Sequence, residues 1–492
     1  MMHFLCIDIG TSYLKTAIVS GNGSIIEKQR HPLHLSYSNG YLTMYPEAWY
    51  PALSKMLASF RYCNKIDAVS ITGNGPSLIA LSHKQTILQP ALSWMDRSCT
   101  EEAQIIAHLS GSSYDASFYL AKALRLIAIH GMDTIWKFFS GPEYLAYCIG
   151  SEPVSYLPSS GYEPYIWNNT IHEQLGLRAN LFPPYAEPGT IIGYTKPNGL
   201  KLPENIPIIA AYPDFLAAIA GTECIEPGYI CDRTGSSETL NACSECYDDA
   251  LPLLRLPHLI PNLWNLSGGV STSGKALEWF CKLHGPDYLF ESCIEDAHSA
   301  PFDPSLMFLP FLNGERAPIW NNTIRGQFLN IGLNHTRQDL ARAVIEGIVF
   351  GLRFTYDKLV QLIKKTCIIR PSGFLADFPF INQLKADIFA TTIETGLHPE
   401  GELLGCAAIA LKGITKNLSI SEACKNIFTL YSSYTPSQDY INYEEKYHKF
   451  INALTNTLNT FRTNYDNCTH TKLCAFCINV YWLHTWQVES YY

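Results

Sequence analysis

Three short stretches of this chain hold residue types that could bind an anion, bind a cation and move a proton. In the first, Asp8 ends an apolar run and Gly10, Thr11 and Ser12 follow it. In the second, Asp232 precedes Gly235, Ser236 and Ser237 in the segment DRTGSS. Tight turns of small residues point backbone N–H groups inward, let a phosphate approach closely and add hydroxyl donors. Asp8 at the mouth of such a turn could hold Mg²⁺ directly or through water. Either hairpin taken alone reads first as a plain turn whose Asp satisfies turn amides. The third stretch is AAYPDFLAAIAG, where Asp214 stands between a strand-like run and a small-residue helix. A carboxylate there could act as a general base, kept ionised by the helix dipole. From local sequence alone, a helix N-cap is the plainer reading.

The elements that must position these residues alternate between strand and helix. Strands are expected at 3–9, 15–20 and 24–30, with a hairpin turn at Gly21-Asn22-Gly23. Pro46 and Glu47 open an amphipathic helix running to about Phe60, and 66–72 and 78–82 return to strand. After Pro227-Gly228 the pattern restarts, with strands at 229–233 and 238–243. Helices are expected at 273–283, 336–364, 382–396 and 403–412. The restart suggests an internal repeat, two lobes that each offer one hairpin loop. A five-residue similarity alone leaves chance as the simpler explanation.

Composition narrows the function classes. The chain has 492 residues, 47% hydrophobic and 16% charged, which suits two to four globular domains. The formal net charge is −9 and no long Lys/Arg run occurs, which argues against a nucleic-acid partner. No stretch approaches the ~20 apolar residues of a membrane span. The start, MMHFLCIDIGTS, lacks the plan of a signal peptide, so a cytoplasmic protein is expected, with its 16 scattered cysteines reduced. There is no G-x-x-x-x-G-K-[ST] and no protein-kinase signature, so neither of those phosphate-binding devices operates here.

Taken together, the segments resemble the FGGY carbohydrate kinases over roughly residues 3–462. DIGTSYLKTAIV (8–19) looks like the family's first phosphate loop, and TGSSETL (234–240) like the second. PALSWMDR (90–97) is similar to its substrate-lobe segment, and YPDFLAAIAG (212–221) to the segment that carries its catalytic Asp. The run 308–353, from FLPFLNGERAP to EGIVFGLR, matches the long C-terminal signature almost throughout. INQLKADIF (381–389) and EGELLGCAAIAL (400–411) look like its adenine-side segments.

The resemblance implies an α/β, two-lobed actin-like and ribonuclease H-like ATPase fold with a deep cleft between the lobes. It divides the chain into a sugar-side lobe at 1–224, a nucleotide-side lobe at 225–462 and an unmatched tail at 463–492. It implies transfer of the γ-phosphoryl group of ATP, with Mg²⁺, to a hydroxyl of a small sugar or polyol. Asp214 would be the base and Asp8 would orient the metal. Gly10, Thr11, Ser12, Gly235, Ser236 and Ser237 would cradle phosphates, and Gly268, Gly269, Gly373 and Gly405 would shape the nucleotide pocket. Asn74, Gly75, Pro76, Trp94 and Asp96 would face the sugar. A homodimer is left open.

Three departures from the family pattern matter. In SGFLAD, Gly373 is kept but Phe374 replaces a second glycine, which puts a side chain where backbone should approach ATP. Asn74-Gly75-Pro76 stands where xylulokinases carry Gln-Met-His, so xylulose is the best single named substrate without being secured; other ketopentoses, aldonates and polyols compete. The tail contains Cys468, His470, Cys474 and Cys477, metal-like types that lack a second well-spaced pair, and it reads as apolar rather than as a zinc site. The competing functional readings are a nucleotide-binding regulator that has lost turnover, favoured only by Phe374, and an actin-type assembly protein, which the segments 90–97 and 308–353 disfavour.

Overall fold

The computed structural model describes residues 1–466 apart from 39, 112–113, 157–168, 198, 364 and 366. The tail's Cys468, His470, Cys474 and Cys477 therefore lie outside the described residues. The first lobe is built on strand His3–Ile9, whose residues from Phe4 onward are all buried. It pairs antiparallel with Tyr13–Ser20 and parallel with Ala68–Gly73. Burial on both faces explains why the strand reads as a continuous apolar run rather than an alternating one. Among the described residues its sheet has six strands and ends at Ile25–Pro32, whose Glu27, Lys28 and Arg30 suit an edge.

The second lobe repeats the arrangement. Tyr229–Thr234 pairs antiparallel with Glu238–Ser244 and parallel with Ile368–Ser372, within a sheet of seven strands among the described residues. The expected repeat is thus a real topological one, with Asp8 and Asp232 near the ends of corresponding strands. Helix Arg337–Leu359 starts on a capping box formed by Thr336 and Asp339 and buries one face in this lobe's core.

Two sequence expectations are corrected. The helix expected at 382–396 is helix Pro379–Phe389 followed by strand Thr392–Gly396. Ala390 adopts a left-handed conformation that stops the helix, and the β-branched TIET segment then extends. The long helix at 336 ends at Leu359 rather than 364.

Helices Asp214–Gly221 and Gly401–Ile414 lie between the lobes and share a core with Phe4, Cys6, Ala17 and Cys231. They touch backbone to backbone. A Cβ on Gly405 would sit 1.8 Å from the Ala217 carbonyl oxygen. The small-residue runs in both helices are what allow this approach, and it carries Asp214 and Glu402 to the same place. Among the described residues, no helix is long and apolar enough to cross a membrane.

Candidate active site

A cleft of about 1450 Å³ lies between the lobes. That is larger than an ordinary small-molecule pocket and has room for a nucleotide beside a second substrate. Five charged side chains meet on its wall: Asp8, Lys15, Asp214, Arg233 and Glu402. Lys15 lies opposite Asp8 across the first hairpin and pairs with its Oδ2 at 3.0 Å. Arg233, at the end of strand Tyr229–Thr234, donates from Nη2 to Asp214 Oδ2 at 2.6 Å and from Nε to Glu402 Oε1 at 2.8 Å. Phe215 N–H donates to Asp214 Oδ1 at 2.7 Å.

Burial and charge set the proton affinities here. Burial pushes the Asp8 carboxyl up to about 6 against the pull of Lys15, with Glu402 and Asp214 adding to the rise. Glu402 is also buried, yet Lys15 and Arg233 hold it down to about 2. Asp214 is raised above the usual carboxylate range, by burial first and by Glu402, with Arg233 and the Phe215 amide opposing. A raised carboxyl suits a base that must take a proton near neutrality.

The two small-residue loops line the cleft, Gly10, Thr11 and Ser12 from one lobe and Gly235, Ser236 and Ser237 from the other. The second loop is tied down from behind, because Gly274 N–H donates to Gly235 O and Lys275 N–H to Ser236 O. Beneath it, Lys385 bridges Asp232 and Glu238 at 2.5 Å each, and Ser273 and Thr234 hydroxyls also donate to Glu238. Asp232, the counterpart of Asp8, is thus committed to a buried ion pair. Among the described residues, Asp8 and Asp232 each keep a buried Oδ1 without a hydrogen-bond partner, but of the two only Asp8 lines the cleft. That orphaned oxygen fits a cation or its water. Among the described residues no cluster of three or more ligating side chains could hold a metal, so Mg²⁺ would take most of its oxygens from phosphates and water, as is usual for this ion.

Beside the first loop, Asn74, Gly75, Pro76 and Trp94 also line the cleft. Asn74 Oδ1 accepts from the Ser77 hydroxyl at 2.9 Å, while its buried Nδ2 has no partner. Lys122, fully buried, donates to the carbonyls of Pro76 at 2.8 Å and Ser93 at 2.7 Å, clamping the two loops together. Asp96 lies off the cleft wall. Its carboxylate accepts from Leu42 N–H at 2.6 Å and from Ser98, which fixes the loop that carries Trp94.

Other expected positions also move. Gly268 and Gly269 lie inside strand Trp264–Val270 and Gly405 lies at the helix crossing, all outside the cleft lining. Gly373 does line it, with φ +97° and a would-be Cβ 2.1 Å from the Thr234 carbonyl oxygen. Phe374 turns its ring edge-on to Phe290 and Phe378, forming part of an aromatic wall. Sequence reasoning missed Lys15, Arg233, Glu402 and Lys122. For Lys122 a signal existed, since a lysine within the apolar run YLAKALRL must either snorkel or find buried acceptors.

Comparison with known proteins agrees with this geometry. Residues 3–127 match the N-terminal domain, and residues 234–414 the C-terminal domain, of the FGGY family of carbohydrate kinases. The chain is similar to a xylulose kinase of Staphylococcus epidermidis, 26% identical over 480 residues, covering 92% of this chain and 96% of the relative. In fold it is similar to a ligand-bound xylulose kinase from Lactobacillus acidophilus, with a TM-score of 0.78 at 22% identity over 94% of this chain and all of the other. A gluconate kinase from the same organism has a TM-score of 0.78 at 22% identity, over 94% of this chain and 99% of that one.

Proposed function

This chain belongs to the FGGY family of carbohydrate kinases, and we propose that it transfers the γ-phosphoryl group of ATP to a hydroxyl of a small linear sugar or polyol, with Asp214 as general base. Xylulose is the first candidate, because relatives named as xylulose kinases match nearly the whole chain. A related ketopentose, aldonate or polyol is the alternative. The observation that carries the reading is the convergence of Asp8, Asp214 and both small-residue loops on one cleft.

In this reading the sugar-side lobe spans 1–224 and the nucleotide-side lobe 225–462. Asn74 and Trp94 hold the acceptor, and Asp214 takes the proton of its hydroxyl. The loop amides and hydroxyls of Gly10, Thr11, Gly235, Ser236 and Ser237 hold phosphate oxygens. Mg²⁺ near Asp8 Oδ1 would neutralise phosphate charge when bound. Closure of the lobes excludes water, which otherwise competes as an acceptor.

A coupled ATP-consumption screen over ketopentoses, aldonates and polyols tests the activity. Replacing Asp214 with Asn tests the base. We expect the variant to lose about 10²–10⁴-fold in kcat while nucleotide affinity stays within a few-fold. Near wild-type turnover by Asp214→Asn would reduce Asp214 to a structural residue. Nucleotide binding with no product from any acceptor would favour a regulator instead.

A further inference from the structure

Arg233 is the penultimate residue of strand Tyr229–Thr234 and immediately precedes the second phosphate loop. Its guanidinium uses two of its N–H groups, one on Asp214 and one on Glu402. A guanidinium carries five, so three remain, and among the described residues Nη1 makes no hydrogen bond. The side chain is 28% exposed and lines the cleft. The surrounding charges leave a deficit of cations. At this point of the wall the three carboxylates of Asp8, Asp214 and Glu402 stand beside two cations, Lys15 and Arg233, and Lys15 is engaged by Asp8. A triphosphate entering this floor needs an immediate counter-charge beside the loop that receives it.

We propose that Arg233 contacts the transferring phosphoryl group through its open Nη1 donors while its Nη2 holds Asp214 in line for the acceptor hydroxyl. This rests on the kinase reading above. In the transfer, the acceptor oxygen forms a bond to Pγ and the bond from Pγ to the β,γ-bridging oxygen breaks. The hydroxyl proton goes to Asp214, and the released electron pair stays on the β-phosphate of ADP. Arg233 keeps its proton throughout, because Asp214 and Glu402 hold the guanidinium charged despite burial. A planar fork can meet a carboxylate on one edge and a phosphate on another, which a lysine ammonium cannot do with the same geometry.

The test uses the full chain with Arg233→Gln and Arg233→Lys. Calorimetry measures affinity for ADP and for the β,γ-imido analogue of ATP, and steady-state kinetics and the pH dependence of kcat follow. For Arg233→Gln we expect the preference for the triphosphate analogue over ADP to fall by about tenfold or more, and kcat by about 10²–10³-fold. ADP affinity and acceptor KM should change only a few-fold. The acid limb of the kcat profile should move to higher pH, because Asp214 loses its neighbouring cation. Arg233→Lys should recover part of the analogue preference, and it carries the same readouts if Arg233→Gln does not fold. An unchanged analogue-to-ADP ratio in the folded variants would overturn the proposal and leave Arg233 as a tie between lobes. If the wild type binds both nucleotides but phosphorylates no acceptor, the kinase reading fails while the binding ratio still decides the role of Arg233.

Discussion

The indole Nε1 of Trp94 donates to the Thr11 hydroxyl at 2.9 Å, so the residue proposed to hold the acceptor and the loop proposed to hold phosphate share a hydrogen bond. The Arg316 guanidinium, from the other half of the chain, lies 5.8 Å from the centre of the same ring. Trp94→Phe keeps an aromatic surface and removes the donor. One neutral hydrogen bond is worth about 0.5–1.5 kcal/mol, so KM for acceptor and for ATP should both rise, by roughly 2–10-fold. In a double-mutant cycle with Thr11→Val the two effects should be non-additive. Independent, additive effects would mean that the bond does not couple the two subsites.

How much of this was legible in the sequence depended on the range of the interactions. Asp8, Thr11 and Gly235 could be found because a strand, a small-residue turn and a second strand are local features. Asp214 could be found as a carboxylate opening a helix. Its partner Arg233 stood in full view within DRTGSS, yet nothing local says that it reaches Asp214 and Glu402, which only the crossing of two small-residue helices brings beside it. Gly268, Gly269 and Gly405, expected around the nucleotide, lie outside the cleft lining for the converse reason. A glycine needed for close packing of strands or helices has the same letter as one needed for a phosphate. Asp96 looked like a substrate ligand because a loop carboxylate that caps amides is indistinguishable in sequence from one that faces a cleft.

Gly373 gives a sharp test of the nucleotide side. Its φ of +97° and the 2.1 Å approach of a would-be Cβ to Thr234 O mean that Gly373→Ala must move the backbone just before the second phosphate loop. The strain alone should cost about 1 kcal/mol or more. Calorimetry should show weakened ATP and ADP binding with acceptor binding retained. Equal loss of both ligands would instead indicate collapse of the cleft as a whole.

Lys122 makes stability depend on pH. Burial lowers its ammonium from the ordinary 10.5 to about 7, with Asp96, Cys99 and Asp115 opposing. Between about 7 and 10.5 the unfolded chain therefore holds more of this proton than the folded chain does. Stability contributed by this group rises as pH climbs through that window and is lost as pH falls through about 7. The limiting slope is about 1.4 kcal/mol per pH unit for one proton. Denaturant midpoints for wild type and Lys122→Met should diverge in favour of wild type from pH 7 to pH 9, and parallel curves would place the titration elsewhere. The clamp on Pro76 and Ser93 also predicts that Lys122→Met raises acceptor KM several-fold more than ATP KM.

We expect substrate choice to turn on Asn74. Its Oδ1 already accepts from Ser77, while its buried Nδ2 has no partner among the described residues. Where an imidazole would be larger, the unpartnered atom of this amide is a donor. It therefore suits an acceptor oxygen on the substrate, whether hydroxyl, carbonyl or carboxylate, without demanding one configuration. The neighbouring Gly75 and Pro76 add little bulk. We expect kcat/KM for xylulose, ribulose, gluconate and erythritol to spread less widely than an imidazole-lined site would allow. Asn74→Asp turns the donor into a charged acceptor and leaves the remaining geometry nearly unchanged. An unpaired buried polar group costs about 1–3 kcal/mol, so kcat/KM should fall by roughly tenfold or more for neutral sugars, and furthest for gluconate, whose carboxylate would then be repelled. An exclusive preference of the wild type for xylulose, or an Asn74→Asp variant that treats gluconate and xylulose alike, would show that Asn74 does not select the acceptor.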